Sequence, residues 1–127
     1  MKTRIAINGF GRIGRNLFRL LLNHPTIEVV AINDIADNKT MAHLVKYDSI
    51  HGVLNRKVSF SEDSISIDDK SYLFFHEREI KNLDWKSINV DIVIESTGKF
   101  KTFEEINQHI LAGAKKVILS APSEVDE

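Results

Sequence analysis

The run Gly9-Phe10-Gly11-Arg12-Ile13-Gly14 has the spacing G-x-G-x-x-G, which chance alone produces in glycine-containing loops and which gains meaning only from its surroundings. Each glycine has its own physical job. Gly9 permits a tight turn, Gly11 lets the backbone approach a pyrophosphate, and Gly14 lets a helix pack closely on the preceding strand. The free amides of that helix's first turn, around Arg12 and Ile13, have the positive end of the helix dipole behind them and make an anion site. Asp34 follows Gly14 by about 20 residues. There its carboxylate accepts hydrogen bonds from the hydroxyls of an adenosine ribose and repels a 2′-phosphate, which favours NAD over NADP.

Further candidates come from strand ends. In a doubly wound sheet the first and fourth strands lie side by side, so Gly9 is expected to face Ser96-Thr97-Gly98, with Thr97 and Gly98 along the cofactor's path. Ser, Thr and Gly serve equally well as ordinary loop residues after a strand, and Ser120, at the next strand end, carries the same two readings. Arg78, within His76-Glu77-Arg78-Glu79, reads from composition as a solvated loop cation. The chain has no cysteine, which excludes disulfides, thiolate metal sites and a thiol nucleophile within it. Its 5 histidines, His24, His43, His51, His76 and His109, show no HxxxH or HExxH spacing, and no metal is expected.

The elements that must hold these residues follow from periodicity. Arg4-Ile5-Ala6-Ile7-Asn8 is a short, mostly apolar run of the kind found in a parallel strand covered on both faces. From Arg12 the period changes: Ile13, Leu17, Leu20 and Leu21 recur at helical spacing, and Pro25 stops the helix near Asn23-His24. Residues 27–32 make a second buried strand. Asn38 is expected to cap a short helix through Tyr47, with Met41, Leu44 and Val45 inside. Over residues 57–75 the pairs Val58 and Phe60, Ile65 and Ile67, and Leu73 and Phe75 alternate around polar breaks, predicting a small antiparallel meander.

Parallel logic resumes at residues 90–95, followed by a helix with capping-box spacing at Thr102 and Glu105, an inner face of Phe103, Ile106 and Ile110, and Gly113 at its carboxyl cap. Residues 116–120 supply the next strand, stopped by Ala121-Pro122-Ser123. The alternation predicts an α/β protein of the Rossmann type, a doubly wound and mostly parallel sheet with an antiparallel meander inserted. The acid-rich residues 124–127 read as an interruption, leaving the sheet incomplete at its C-terminal end. An uncovered edge and apolar faces there predict low stability or self-association.

Composition sets outer limits. With 127 residues, 43% hydrophobic and 28% charged, the chain suits one globular domain with a real core. Seventeen basic against 18 acidic residues give a net charge of −1, which offers no footprint for nucleic acid or an anionic membrane. No apolar run approaches a membrane span and no signal peptide is evident, so the cytoplasm is the default expectation.

Ala6-Ile7-Asn8-Gly9-Phe10-Gly11-Arg12-Ile13-Gly14-Arg15 resembles the opening signature of phosphorylating glyceraldehyde-3-phosphate dehydrogenases, and Ala31-Ile32-Asn33-Asp34 is similar to their second-strand ending. Lys46-Tyr47-Asp48-Ser49-Ile50-His51-Gly52, Glu95-Ser96-Thr97-Gly98 and Ala112-Gly113-Ala114-Lys115-Lys116-Val117-Ile118-Leu119-Ser120-Ala121-Pro122 are similar to family segments in the same order, so the resemblance covers the whole chain. It implies an NAD-binding domain followed by a catalytic domain, assembled as a homotetramer. The implied reaction is the glycolytic oxidative phosphorylation of an aldehyde, with hydride passing to NAD.

Carried over by resemblance, Arg12 and Ile13 contact the pyrophosphate, Asp34 the adenosine ribose, Arg78 the adenine end, and Thr97 with Ser120 the nicotinamide half, with Phe100 alongside. Lys99 departs from the apolar residue more common there, and Ser123-Glu124-Val125-Asp126 departs from the commoner continuation. The family's mechanism needs a cysteine thiolate to form a thiohemiacetal and a histidine to activate it. Neither position lies within these residues, so residues 1–127 are expected to be a cofactor domain without its catalytic half, inactive alone. An erythrose-4-phosphate dehydrogenase cofactor domain and a free-standing NAD-binding module are the alternatives.

Overall fold

The first strand, β1 (Thr3–Asn8), is buried from Ile5 onward and hands the chain through the glycine turn to α1 (Arg12–Leu21). A computed structural model describes residues 2–48, 52–54, 56–100 and 102–120. Next come β2 (Ile27–Asn33), α2 (Asn38–Lys46) and the short antiparallel pair β3 (Tyr47–Asp48) and β4 (Gly52–Val53). They are followed by β5 (Val58–Phe60), β6 (Ser64–Ile67), β7 (Lys70–Phe75) and a 3-10 turn at Ile80–Asn82. The chain continues through β8 (Ile92–Glu95), α3 (Phe103–Leu111) and β9 (Lys116–Leu119). Ser49, Ile50 and His51 of the sequence comparison, the Ala121-Pro122-Ser123 stop and the acidic residues 124–127 lie outside the described residues.

One sheet of 7 strands runs β5-β6-β7-β2-β1-β8-β9. The pairs β7–β2, β2–β1, β1–β8 and β8–β9 are parallel, as the alternating strand and helix pattern requires, while β5–β6 and β6–β7 are antiparallel. The chain therefore winds outward from β1 through β2 to β7, then returns to place β8 on β1's other side. That reversal opens a crevice at the carboxyl ends of β1 and β8. The meander is continuous with this sheet, because β7 pairs with both β6 and β2.

Alternating side chains divide the core between the two faces. Ile5, Ile7 and Ile32 join Phe10, Phe18, Met41, Val45, Tyr72 and Phe74 on the face covered by α1 and α2. Ala6 and Ala31 join Trp85, Val90, Val93 and Ala114 on the other. Edge-to-face contacts chain Phe74 to Phe10 (5.4 Å), Phe10 to Phe18 (5.6 Å) and Phe18 to Tyr72 (4.9 Å), so the residue between the first two glycines is itself a core anchor. At the β9 edge Ile118 is exposed, as is Leu111 on α3. No helix among the described residues is long and apolar enough to cross a membrane.

Four local expectations are corrected. In α1 the buried line is Gly14 and Phe18, flanked by Leu17 and Leu21, while Ile13 is 55% and Leu20 72% exposed. The helix touches β1 along the residue with no Cβ, and that contact rotates the inner face away from the most apolar stripe. Asp37, rather than Asn38, caps α2, its Oδ1 accepting from Thr40 N at 2.7 Å. Asn38 instead donates its Nδ2 to the carbonyls of Ser61 (2.7 Å) and Glu62 (3.0 Å), fastening the helix to the β5–β6 turn.

In β7 the residues on the first core face are Tyr72 and Phe74; Leu73 is exposed, and Phe75 turns to Trp85 on the opposite face. A strand paired on both sides can bury either alternation, so its phase is set by neighbours. In α3 the inward residue is the fully buried His109, whereas Phe103 is 59% exposed. The capping box of Thr102 and Glu105 is formed. Gly113, at φ +118°, closes α3 with paired bonds from Gly113 N to Ile110 O and from Ala114 N to His109 O, both 3.0 Å.

Glu28 on β2 accepts from Lys70 Nζ at 2.9 Å and lies 3.7 Å from Arg4, tying β2 to both neighbouring strands. The Lys70 hydrogen bond, opposed by partial burial and aided by the charges of Lys70, Arg4 and Lys2, holds its carboxyl below the ordinary value of 4.5. A depressed pKa stabilises the fold above the unfolded value and loses that contribution as pH falls through the folded one. Glu28→Gln is therefore expected to lower stability at pH 7 by no more than about 1 kcal/mol, with the deficit shrinking as pH falls below the ordinary value of 4.5 and through the lowered folded one. Urea midpoints of parent and variant at pH 7 and pH 3.5 check this; a deficit unchanged by acid contradicts it.

Candidate functional site

The strands that meet at the crevice end in polar residues that stay buried: Asn8 on β1, Asn33 on β2 and Glu95 on β8. Buried polar groups need partners, and these find one another. Asn33 Nδ2 donates to Asn8 Oδ1 (2.8 Å), and Asn8 Nδ2 donates to Glu95 Oε1 (2.7 Å). Asn33 also exchanges two bonds of 2.9 Å with the backbone of Glu77, which fixes the segment carrying Arg78.

On the far side, His109 Nε2 lies 2.8 Å from Glu95 Oε1, and Trp85 Nε1 donates to His109 Nδ1 at 3.0 Å. An indole can only donate, so His109 Nδ1 accepts and the ring proton sits on Nε2, facing Glu95. Glu95 Oε2 accepts from Thr97 N (3.1 Å) and Thr97 Oγ1 (2.6 Å). Two carboxylate oxygens thus receive four donors.

Above this network the glycine loop is held by contact. Gly9 has φ +98°, and a Cβ there would stand 2.7 Å from Thr97 N. A Cβ at Gly14 would collide with the Gly9 carbonyl oxygen and crowd Ile7. At Gly11 nothing lies within 4 Å, so the opening left by its missing side chain faces outward. No side chain caps α1, and its first amides have no partner within the helix. Asp34 directly follows β2, and its carboxylate is already oriented: Oδ2 accepts from Phe10 N at 2.7 Å and Oδ1 from Ala36 N at 3.0 Å.

These pieces enclose an open cavity of about 230 Å³. Gly9 and Gly11 form its floor. Asp34, Ile35, Glu77 and Arg78 line one wall; Ser96, Thr97, Lys99 and Phe100 line the other. Of the residues singled out in the sequence, Gly9, Gly11, Asp34, Arg78 and Thr97 thus meet at one cavity. Arg12 and Ile13 are exposed at the start of α1, and Gly14 is buried beneath the loop. Gly98, at φ +74°, turns the loop but does not line the cavity. Ser120 also lies outside the lining, its N and Oγ bonded to the Glu95 carbonyl at 3.0 and 3.1 Å.

Hydropathy reading passed over Asn8, Asn33, Glu95, His109 and Trp85. A signal was present in the first three: each is a polar residue closing an otherwise apolar parallel strand, where solvent and ligand meet the sheet. His109 left no comparable mark on its helix. Among the described residues no group of three or more His, Asp or Glu is placed to hold a metal ion.

The contrast between Gly14 and Gly11 is testable without ligand. Gly14→Ala is expected to cost about 2 kcal/mol or more through overpacking, whereas Gly11→Ala stays within about 1 kcal/mol of the parent. Denaturant unfolding of both variants decides it; equal losses would contradict the two roles.

The sequence of residues 3–103 matches the family model described as glyceraldehyde 3-phosphate dehydrogenase, NAD binding domain. Among curated proteins, the chain is 50% identical over 127 residues to glyceraldehyde-3-phosphate dehydrogenase of Geobacillus stearothermophilus, covering 100% of this chain and 38% of that protein. It is 50% identical over 126 residues to the Thermotoga maritima enzyme, covering 98% and 38%, and 52% identical over 120 residues to that of Mycoplasma pneumoniae, covering 94% and 36%. The chain therefore spans less than two-fifths of the length of these relatives. With a doubly wound sheet, a glycine turn opening onto a helix start and an oriented acid after β2, the chain belongs to the NAD-binding domain family of glyceraldehyde 3-phosphate dehydrogenase, and its cofactor is NAD.

Proposed function

We propose that this chain is the cofactor-holding part of an enzyme that oxidises and phosphorylates glyceraldehyde 3-phosphate, and that NAD lies across the crevice between the ends of β1 and β8. The observation that carries the reading is Asp34, whose carboxylate is hydrogen-bonded to the glycine loop itself at 2.7 Å and lines the same cavity as Gly11. The amides at the start of α1 receive the pyrophosphate through the space that Gly11 leaves open. Asp34 accepts the adenosine ribose hydroxyls and repels a 2′-phosphate, Arg78 borders the adenine end, and the loop from Thr97 to Phe100 closes the opposite wall. When bound, the nicotinamide ring supplies a hydride acceptor.

The wider activity rests on the family and on chemistry these residues lack. The sequence has no cysteine, so a thiol nucleophile must come from outside these 127 residues, and the chain alone is inactive. A homotetrameric, cytoplasmic enzyme of glycolysis is the setting the family suggests. Calorimetric titration with NAD and NADP is the direct test. Saturable NAD binding, weaker NADP binding and a loss of about tenfold or more in NAD affinity on Asp34→Ala are expected, the worth of a charge-assisted hydrogen bond. Gly11→Ala is expected to fold and to lose most NAD binding. A folded parent that ignores NAD, or takes NADP equally well, overturns the proposal.

A further inference from the structure

We infer that Glu95 is a positioning residue for the cofactor cleft, setting both of its walls through hydrogen bonds, and that the Thr97 hydroxyl serves this linkage rather than the ligand. The inference rests on the NAD-binding reading above.

Glu95 is fully buried at the end of β8. Its four donors come from three segments: Asn8 on β1, His109 on α3, and Thr97 N and Oγ1 in the loop after β8. Among the described residues no lysine or arginine pairs with it, and because Trp85 Nε1 donates to His109 Nδ1, the other ring nitrogen, Nε2, is the one that faces Glu95. An isolated buried charge is costly, and only a full set of donors makes it tolerable. A neutral amide at this position would place its own donor against theirs.

The hydrogen bonds lead from this carboxylate to each wall. Thr97 Oγ1 gives its proton to Glu95 Oε2 and accepts from Lys99 N at 3.0 Å. Its one donor is thus spent inward, and it holds the turn that delivers Lys99 and Phe100 to the cavity. In the other direction the path runs through Asn8 and Asn33 to the backbone of Glu77, next to Arg78. The same side chain therefore constrains the loop on one wall and the Arg78 segment on the other.

The test uses Glu95→Gln, Thr97→Val, Thr97→Ser and the double variant Glu95→Gln/Thr97→Val, with NAD titration and amide hydrogen exchange as readouts. Glu95→Gln is expected to raise the NAD dissociation constant about tenfold and to speed exchange at the Thr97 and Lys99 amides while those of β1 stay slow. Thr97→Val is expected to act in the same direction and Thr97→Ser to restore parental behaviour. The double variant should be no weaker than Glu95→Gln alone, because both changes break one linkage.

Additive losses, or a folded Glu95→Gln that binds NAD like the parent, overturn the inference. If Glu95→Gln does not fold, the threonine pair decides. Weakened binding in Thr97→Val restored in Thr97→Ser supports the inference, and parental binding by Thr97→Val overturns it. A parent that binds no NAD removes the proposed function and this inference together, which separates that failure from a parent that binds and a Glu95 variant that binds equally.

Discussion

The close approach of α1 to the end of β1 is the constraint on which the rest of the structure depends. Gly14 rests directly on the Gly9 carbonyl, leaving no room for even a methyl group, and Gly9 in turn abuts the backbone of Thr97. Helix start, strand end and the loop after β8 are thereby pressed into one small volume. Phe10, held between Phe18 and Phe74, prevents the turn from lifting away. The amides at the start of α1 are thus fixed by core packing, and a loop held in this way needs little further ordering to receive a ligand.

Much of this was legible in the sequence because it is local. The glycine spacing, the switch from strand to helix period at Arg12, the capping box at Thr102 and the glycine after α3 are each decided within a few residues. What could not be read was decided across the sheet. Asn38 has the side chain of a cap, yet it bonds to the turn between β5 and β6, which only the fold brings near. The phase of β7 depends on being paired with β2 as well as β6, and the burial of His109 depends on Trp85 and Glu95. Polar residues inside a core carry no hydropathic signature; their partners are the information.

The two faces of the sheet also divide the labour differently. One is a broad aliphatic and aromatic core under α1 and α2; the other is smaller and adjoins the buried hydrogen-bonded line from Trp85 through His109 to Glu95. Dispersion and hydrophobic burial tolerate small shifts in the first, whereas hydrogen bonds in the second demand particular distances and angles. Stability and geometric definition therefore come from different sides of the same strands.

The double pairing of β7 bears on how the chain assembles. Its bonds to β6 cross a two-residue turn at Asp68-Asp69, where Asp68 already adopts φ +55°, so that hairpin closes at small entropic cost. Its parallel bonds to β2 join Ala31 to Leu73 and require the intervening helix and meander to be looped out first. Local pairing forms faster than remote pairing. The antiparallel meander can thus stand as a prefabricated edge, offering β2 a strand already straightened, so that growth of the parallel sheet begins from a template instead of from two loose segments of chain.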